Sequence, residues 1–343
     1  MGGVEVRNLI VLLAALALAA EACGGDDGAG SDGTLTVYSG REEELVGPLF
    51  ERFEQETGID VEVRYGDSAE LAATIAEEGG NSPADVFFAQ DPGSLGAVER
   101  EGLLATLPDE ILNRVPDRFR DPDGRWVGTS GRSRVIVYNT DEVSEGALPS
   151  SVFELTDPRW KGKIGIAPTN ASFQAFVSAM SISIGEERTR TWLEDLKANE
   201  PKLYEKNTPI VEAAAAGEIE VGLVNHYYLY LVKQERPDAP IANHFLQGED
   251  AGALVSVAGA AILETSNDDD AARRFVEFLL SDAGQRFYVD EAEEAEYPLI
   301  EGVRPKAGLP PLESLEGPSI ALDELGPRLE RTLELLNEVG FTT

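Results

Sequence analysis

Two tyrosines stand side by side at Tyr227-Tyr228, directly behind Asn225 and His226. Once ionised, two phenols offer hard, anionic oxygen donors of the kind a multivalent cation takes. A Tyr-Tyr pair considered alone is more usually a packing element of a strand or helix. Glu42, after Gly40-Arg41, is either a further carboxylate donor or simply an acid favoured by the macrodipole at a helix start. Arg132 and Arg134 alternate along a strand-like run and so project on one face, where they either pair with an anion or neutralise acidic neighbours. The stretch Thr169-Asn170-Ala171-Ser172 opens a helix, and backbone N–H groups at such a start point toward negative charge. Tyr38, just before the Ser39-Gly40 turn, either lines a cleft or packs beneath one. His226 reads as a cleft-wall or core histidine, and His244 as structural. No Gly-x-Ser-x-Gly elbow, His-Glu-x-x-His helix or phosphate-cradling loop is present, which leaves a secreted hydrolase working through paired carboxylates as a poorly supported reading.

A chain of 343 residues with 42% hydrophobic content has room for two α/β domains of ordinary size. The net charge of −35 is spread along the chain, repels nucleic acid and anionic lipid headgroups, and suits an extracytoplasmic surface. Near the start, Arg7 precedes an apolar run from Leu9 to Ala20, too short to span a bilayer and readable as the core of an export signal over 1–22. Cys23 is the single cysteine, so neither an internal disulfide nor a thiolate zinc site is possible. It follows Glu21-Ala22 and precedes a Gly/Asp/Ser stretch, 23–33, that has no apolar periodicity and reads as a solvated tether. The segment resembles a lipoprotein cleavage site, with Cys23 as the lipidated residue, although Glu21 occupies a position usually held by a small or apolar residue.

From Leu35 onward, short β-rich runs alternate with amphipathic helices, the pattern of a wound α/β fold. Strands are expected at Leu35 to Tyr38, Asp60 to Tyr65, Ala84 to Phe88, Gly131 to Asn139, Ile164 to Ile166, Glu220 to Val224 and Ala253 to Leu263. Helices are expected from Glu42 to Gly58, Ser68 to Glu78, Pro92 to Arg100, Ser172 onward, Thr189 to Ala198, Val211 to Ala216, Asp269 to Leu280 and Ile320 to Val339. Leu107 to Gly124 reads as surface loop. One domain inserted in the other would give two strand crossovers, with a ligand cleft between the lobes.

Several segments together resemble the iron(III)-binding family of periplasmic solute-binding proteins. They are Leu35-Thr36-Val37-Tyr38-Ser39-Gly40, Ser82-Pro83-Ala84-Asp85-Val86-Phe87-Phe88, Gly131-Arg132-Ser133-Arg134-Val135-Ile136-Val137-Tyr138-Asn139, Pro158-Arg159-Trp160-Lys161-Gly162-Lys163-Ile164-Gly165, Asn225-His226-Tyr227-Tyr228, Gly252-Ala253-Leu254-Val255 and Ala295-Glu296-Tyr297-Pro298-Leu299. They occur in the family's order and cover nearly the whole mature chain. The resemblance implies a type II two-lobed fold, each lobe a wound mixed sheet flanked by helices, with lobe 1 formed by 34–133 plus 258–310 and lobe 2 by 134–257 plus 311–343. It also implies a non-enzymatic, monomeric, exported lipoprotein on the outer face of the cell membrane, serving an ABC permease and its ATPase subunit. The cargo would be Fe3+, held by Tyr227 and Tyr228 with a synergistic carbonate or phosphate.

Three positions depart from patterns found in the family. Glu42 stands where relatives often have histidine, and a second acidic ligand of some relatives falls at Ala89, which cannot coordinate. Glu42 is thus left as the carboxylate ligand. The position of a third tyrosine in some members is Phe173 here. Asn170, Ala171 and Ser172 suit the anion, while Asn207, Asn225 and Gln90 match the family's remaining anion contacts; Tyr38, Arg41, Arg132, Arg134 and His226 are further cleft candidates. A trivalent ion displaces the proton of a phenol whose ordinary pKa is about 10, so affinity should fall steeply in acid. Relatives of this architecture also carry sulfate, thiamine, polyamines or phosphonates, and a small organic solute that stacks on the tyrosines is the rival cargo.

Overall fold

The computed structural model describes residues 34–267, 269–292 and 295–342. The export signal, the tether and Cys23 lie outside the described residues. The chain runs β1 (Leu35–Ser39), α1 (Glu43–Thr57), β2 (Val61–Tyr65), α2 (Ser68–Glu78), β3 (Val86–Ala89), α3 (Pro92–Arg100), α4 (Asp109–Leu112) and the long β4 (Val127–Asn139). It continues through β5 (Ile164–Ile166), α5 (Ala171–Ile184), α6 (Glu186–Ala198), β6 (Lys202–Leu203), α7 (Asn207–Ala215), β7 (Val221–Asn225), α8 (Tyr228–Glu235) and β8 (Ile241–His244). Last come β9 (Val255–Ile262), α9 (Asp269–Leu279), α10 (Asp282–Asp290) and α11 (Leu325–Val339).

The strand order is β2-β1-β3-β9-β4-β7-β5-β6, with β8 also paired to β4. β1 is parallel to β2 and β3, and β5 is parallel to β6 and β7. β9 and β4 run antiparallel to their neighbours. The fully buried β4 joins two halves of this sheet. Its residues Val127 to Ser133 pair with β9, and from Arg134 onward it pairs with β7 and then also β8.

Local sequence explains the helices that frame the site. α1 buries Val46, Leu49, Phe50 and Phe53, spaced to form one stripe, and stops at Gly58, whose φ of 71° is accessible to glycine without penalty. Phe50 stacks on Phe275 of α9 at 5.3 Å and Phe53 meets the same ring edge-on at 5.1 Å, so the late helix closes over the first strands. Asp67 caps α2 and Asp91 caps α3, each side chain accepting backbone N–H bonds.

Three expectations need correction. The stretch from Leu107 to Gly124 is not mere surface loop: it contains α4, and Ile111, Leu112, Val115 and Phe119 are buried. β4 starts at Val127, earlier than Gly131. α11 starts at Leu325, later than Ile320, because Pro327 is tolerated only in a helix's first turn. No helix among the described residues is long and apolar enough to cross a membrane.

Candidate functional site

A cavity of about 1150 Å3 lies where the two halves of the sheet meet. Its lining comes from the segments that follow strands: Gly40 to Leu45 after β1, Gly66 to Ala69 after β2, Gln90 to Ser94 after β3, Asn170 to Ser172 beyond β5, and Tyr227-Tyr228 after β7. Five helices, α1, α2, α3, α5 and α8, therefore present their N-terminal ends to one space, and their aligned peptide dipoles favour negative charge there.

Tyr227 and Tyr228 sit at the junction of β7 and α8, with ring centroids 4.4 Å apart and planes tilted by 33°. Tyr227 is buried and Tyr228 half-buried, and both line the cavity. Asn225, the last residue of β7, also lines it and pairs with Arg134 across the ladder. Glu42 reaches the same cavity as the exposed N-cap of α1, where its side chain makes no capping bond. Asp67 and Asp91 also line the space, but their carboxylates are engaged as helix caps. Among the described residues no three His, Cys, Asp or Glu side chains converge as a metal-ligand group.

Arg134 is the charged centre of the tyrosine wall. Its side chain is fully buried, donating to Ser172 Oγ at 3.1 Å and to the Leu223 carbonyl at 2.8 Å, with the Phe173 and Phe176 rings 5.7 and 5.6 Å away. Burial pulls the guanidinium down to about 9, against the opposing influence of the Tyr228 and Tyr227 phenols, so it remains charged at neutral pH. Ser172 Oγ in turn donates to Asn170 Oδ1 at 2.6 Å, and Asn170 caps α5 through the Ser172 N–H. Asn170, Ala171 and Ser172 line the cavity. Asn207 stands behind them, fully buried, its Nδ2 donating to Asn170 Oδ1 and Ser172 Oγ at 3.0 and 3.1 Å; it braces the loop rather than facing the cavity. Phe173 points into the core against Phe176.

The floor carries a second charged group that the motif reading quoted but did not single out. Glu296 is fully buried and pairs with Arg41 at 3.0 Å and, more distantly, with Arg132 at 3.7 Å. Burial would raise its carboxyl, but Arg41 and then Arg132 outweigh it and hold the group below the ordinary carboxylate range. Arg132 also donates to the Gln90 carbonyl, while the Gln90 N–H donates to Ser68 Oγ at 2.9 Å. Arg41, Gln90 and Arg132 all line the cavity. The signal in the sequence was the acid inside Ala295-Glu296-Tyr297-Pro298, whose partners lie far away in the chain.

Two cleft candidates take the buried one of the two placements that the sequence left open. Tyr38 does not line the cavity: its hydroxyl turns away to bond Glu78 at 3.0 Å and accept from Arg64 at 3.1 Å, because alternate residues of β1 face opposite ways. His226 is fully buried behind the tyrosines rather than in the cleft wall. Burial holds its imidazole down at about 4, so it is neutral.

Residues 81–313 match the family model of bacterial extracellular solute-binding proteins. The chain belongs to that family. As a member of it, the chain is 36% identical over 311 residues to the major ferric iron-binding protein of Neisseria meningitidis, covering 90% of this chain and 93% of the relative. It is 32% identical to the Fe(3+)-binding periplasmic protein of Serratia marcescens, covering 95% and 94% of the two. Among solved structures, iron-bound HitA from Pseudomonas aeruginosa superimposes with a TM-score of 0.81 at 36% identity, over 90% of this chain and 99% of that one. The Trichodesmium protein solved with iron and citrate gives 0.79 at 28%, over 90% and 100%. The type II two-lobed fold and the kinship with iron(III)-binding solute-binding proteins thus stand on whole-chain similarity.

Proposed function

We propose that the chain is the extracytoplasmic solute-binding component of an ABC importer, that it takes ferric iron in the cleft, and that it delivers the ion to a permease driven by an ATPase subunit. Tyr227 and Tyr228 supply phenolates and Glu42 a carboxylate, while Asn170, Ala171 and Ser172, with Asn225 and Gln90, seat a carbonate or phosphate beside the charged Arg134. The lobes are 34–133 plus 258–310 and 134–257 plus 311–343, and closure about the β4 crossing brings Glu42 toward the tyrosines. Lipidation at Cys23 holds the mature, monomeric protein at the outer face of the membrane.

The observation that carries this reading is the adjacent pair of phenols on the wall of an arginine-lined cavity, 4.4 Å apart at their centroids. Phenolate is the strongest anionic oxygen donor a side chain offers to a hard trivalent ion. The similarity to ferric-binding proteins over nine-tenths of the chain supports the same cargo.

A second reading has its own support, since Arg41, Arg132 and Arg134 line a space of about 1150 Å3 that also suits an organic anion such as a phosphonate. Competition against citrate separates the two. Iron cargo requires ferric ion to raise thermal stability in a manner reversed by a stronger chelator. An organic cargo requires stabilisation by the solute that survives the chelator.

A further inference from the structure

The imidazole of His226 sits behind the tyrosine pair at the place where β4 changes partners. Ser133 is the last β4 residue paired with β9, and Arg134 is the first paired with β7. His226 grips Ser133 twice: its backbone N–H donates to the Ser133 carbonyl at 2.9 Å, and the Ser133 N–H donates to the ring Nδ1 at 3.1 Å. Because Nδ1 accepts, the ring proton is on Nε2, which donates to the Ala295 carbonyl at 3.0 Å. Ala295 has a φ of 51°, a left-handed conformation that a non-glycine residue holds only when its surroundings enforce it. The next two residues are fully buried beneath the cleft lining. Glu296 holds Arg41 and Arg132, and Tyr297 exchanges both backbone bonds with Gly131 while its ring lies 4.9 Å from the imidazole.

We propose that His226 is a positioning residue that ties the Tyr227-Tyr228 turn to the 295–297 segment across the β4 crossing, so that the phenols and the floor arginines keep a fixed relation. This rests on the iron reading only for its effect on cargo. A buried histidine that merely filled space would need no particular nitrogen in either position. Here each nitrogen meets a specific backbone group from a distant segment, Nδ1 as acceptor from Ser133 and Nε2 as donor to Ala295.

The test uses His226→Asn and His226→Gln. The asparagine amide meets the Ser133 N–H but falls short of Ala295, whereas the glutamine amide reaches the Ala295 carbonyl. Losing one buried hydrogen bond is expected to weaken ferric ion binding, measured by citrate competition, about tenfold in the Asn variant, with the Gln variant close to wild type. In the apo protein, hydrogen exchange in peptides covering 226–230 and 295–299 is expected to quicken by a similar factor in the Asn variant alone. Equal behaviour of the two variants in exchange overturns the proposal. The exchange comparison needs no metal, so it decides the matter even if the wild-type protein takes up no iron, a result that would sink the cargo reading instead. If the Asn variant does not fold, nitrogen NMR of the wild-type imidazole decides: a slowly exchanging Nε2–H supports the tie, and an Nδ1–H tautomer refutes it.

Discussion

Removing the buried carboxylate on the cleft floor should unsettle the fold by a calculable amount. Glu296 is fully buried, as are Arg41 and Arg132 to within a few per cent, at 3.0 and 3.7 Å from it. Glu296→Ala leaves the guanidinium groups without the carboxylate they share, and breaking a buried pair in this way costs about 3–5 kcal/mol. With an unfolding entropy of about 2.1 cal/mol/K per residue over roughly 300 residues, that corresponds to a fall in Tm of about 5–8 °C. Glu296→Gln retains an acceptor for Arg41 without the charge, and should lose roughly half as much. The sign with pH follows from the depressed carboxyl. Its stabilisation is complete above the unfolded-state value of about 4.3 and is lost as pH falls through the lower folded value, so the gap to the Gln variant should persist at pH 7 and narrow only in strong acid. Thermal unfolding followed by circular dichroism across pH gives the answer. Variants that melt together with wild type at pH 7, or a gap indifferent to acid, would refute the assignment of this group as a structural ion cluster.

Tyr227→Phe and Tyr228→Phe should each lower ferric affinity by about a hundredfold or more, the loss of one charged donor, while leaving Tm within a few degrees; chelator competition and thermal melts measure the two effects. Glu99, at the end of α3, has its carboxyl raised to about 7 by burial and by the charges of Asp121, Asp323 and Asp123. Its ionised form therefore destabilises the fold above that pH and the penalty vanishes below about 4.5, so Glu99→Gln should raise Tm at pH 8 and change little at pH 4; partial exposure screens the gain to about 1 kcal/mol or less. Gly326→Ala at the start of α11 would place a Cβ 2.7 Å from the Gly93 carbonyl oxygen, and should destabilise by about 1–3 kcal/mol in denaturant titration as α11 is pushed off α3.

The wound alternation, the helix caps and most strand positions were legible because each depends on neighbours a few residues away. Gly58, Asp67 and the apolar stripe of α1 act within one or two turns. The tyrosine pair, Glu42 and the Asn170 to Ser172 loop were legible as types and do reach one cavity. What the chain concealed depends on long-range contact. Glu296 meets Arg41 across 255 residues, and nothing near either one announces the other. Tyr38 was left open between lining the cleft and packing beneath it because a residue before a turn can face either way, and strand pleat rather than sequence position decided it. His226 was open to a cleft-wall or a core placement, and it lies in the core because a strand-to-helix turn sends successive side chains in different directions. The buried α4 was missed because its short apolar pattern is interrupted by Pro108 and Pro116, although Ile111, Leu112, Val115 and Phe119 supply the core contacts.

Binding of a ferric ion by the two phenols would show itself in an absorption spectrum. Iron-stripped mature protein would be titrated with ferric citrate, with and without bicarbonate or phosphate. The expected result is a visible tyrosinate-to-iron charge-transfer band that saturates at one equivalent, responds to the anion, and is lost in Tyr227→Phe or Tyr228→Phe. No band, together with no rise in thermal stability on adding iron, would contradict it and give the cleft to an organic solute.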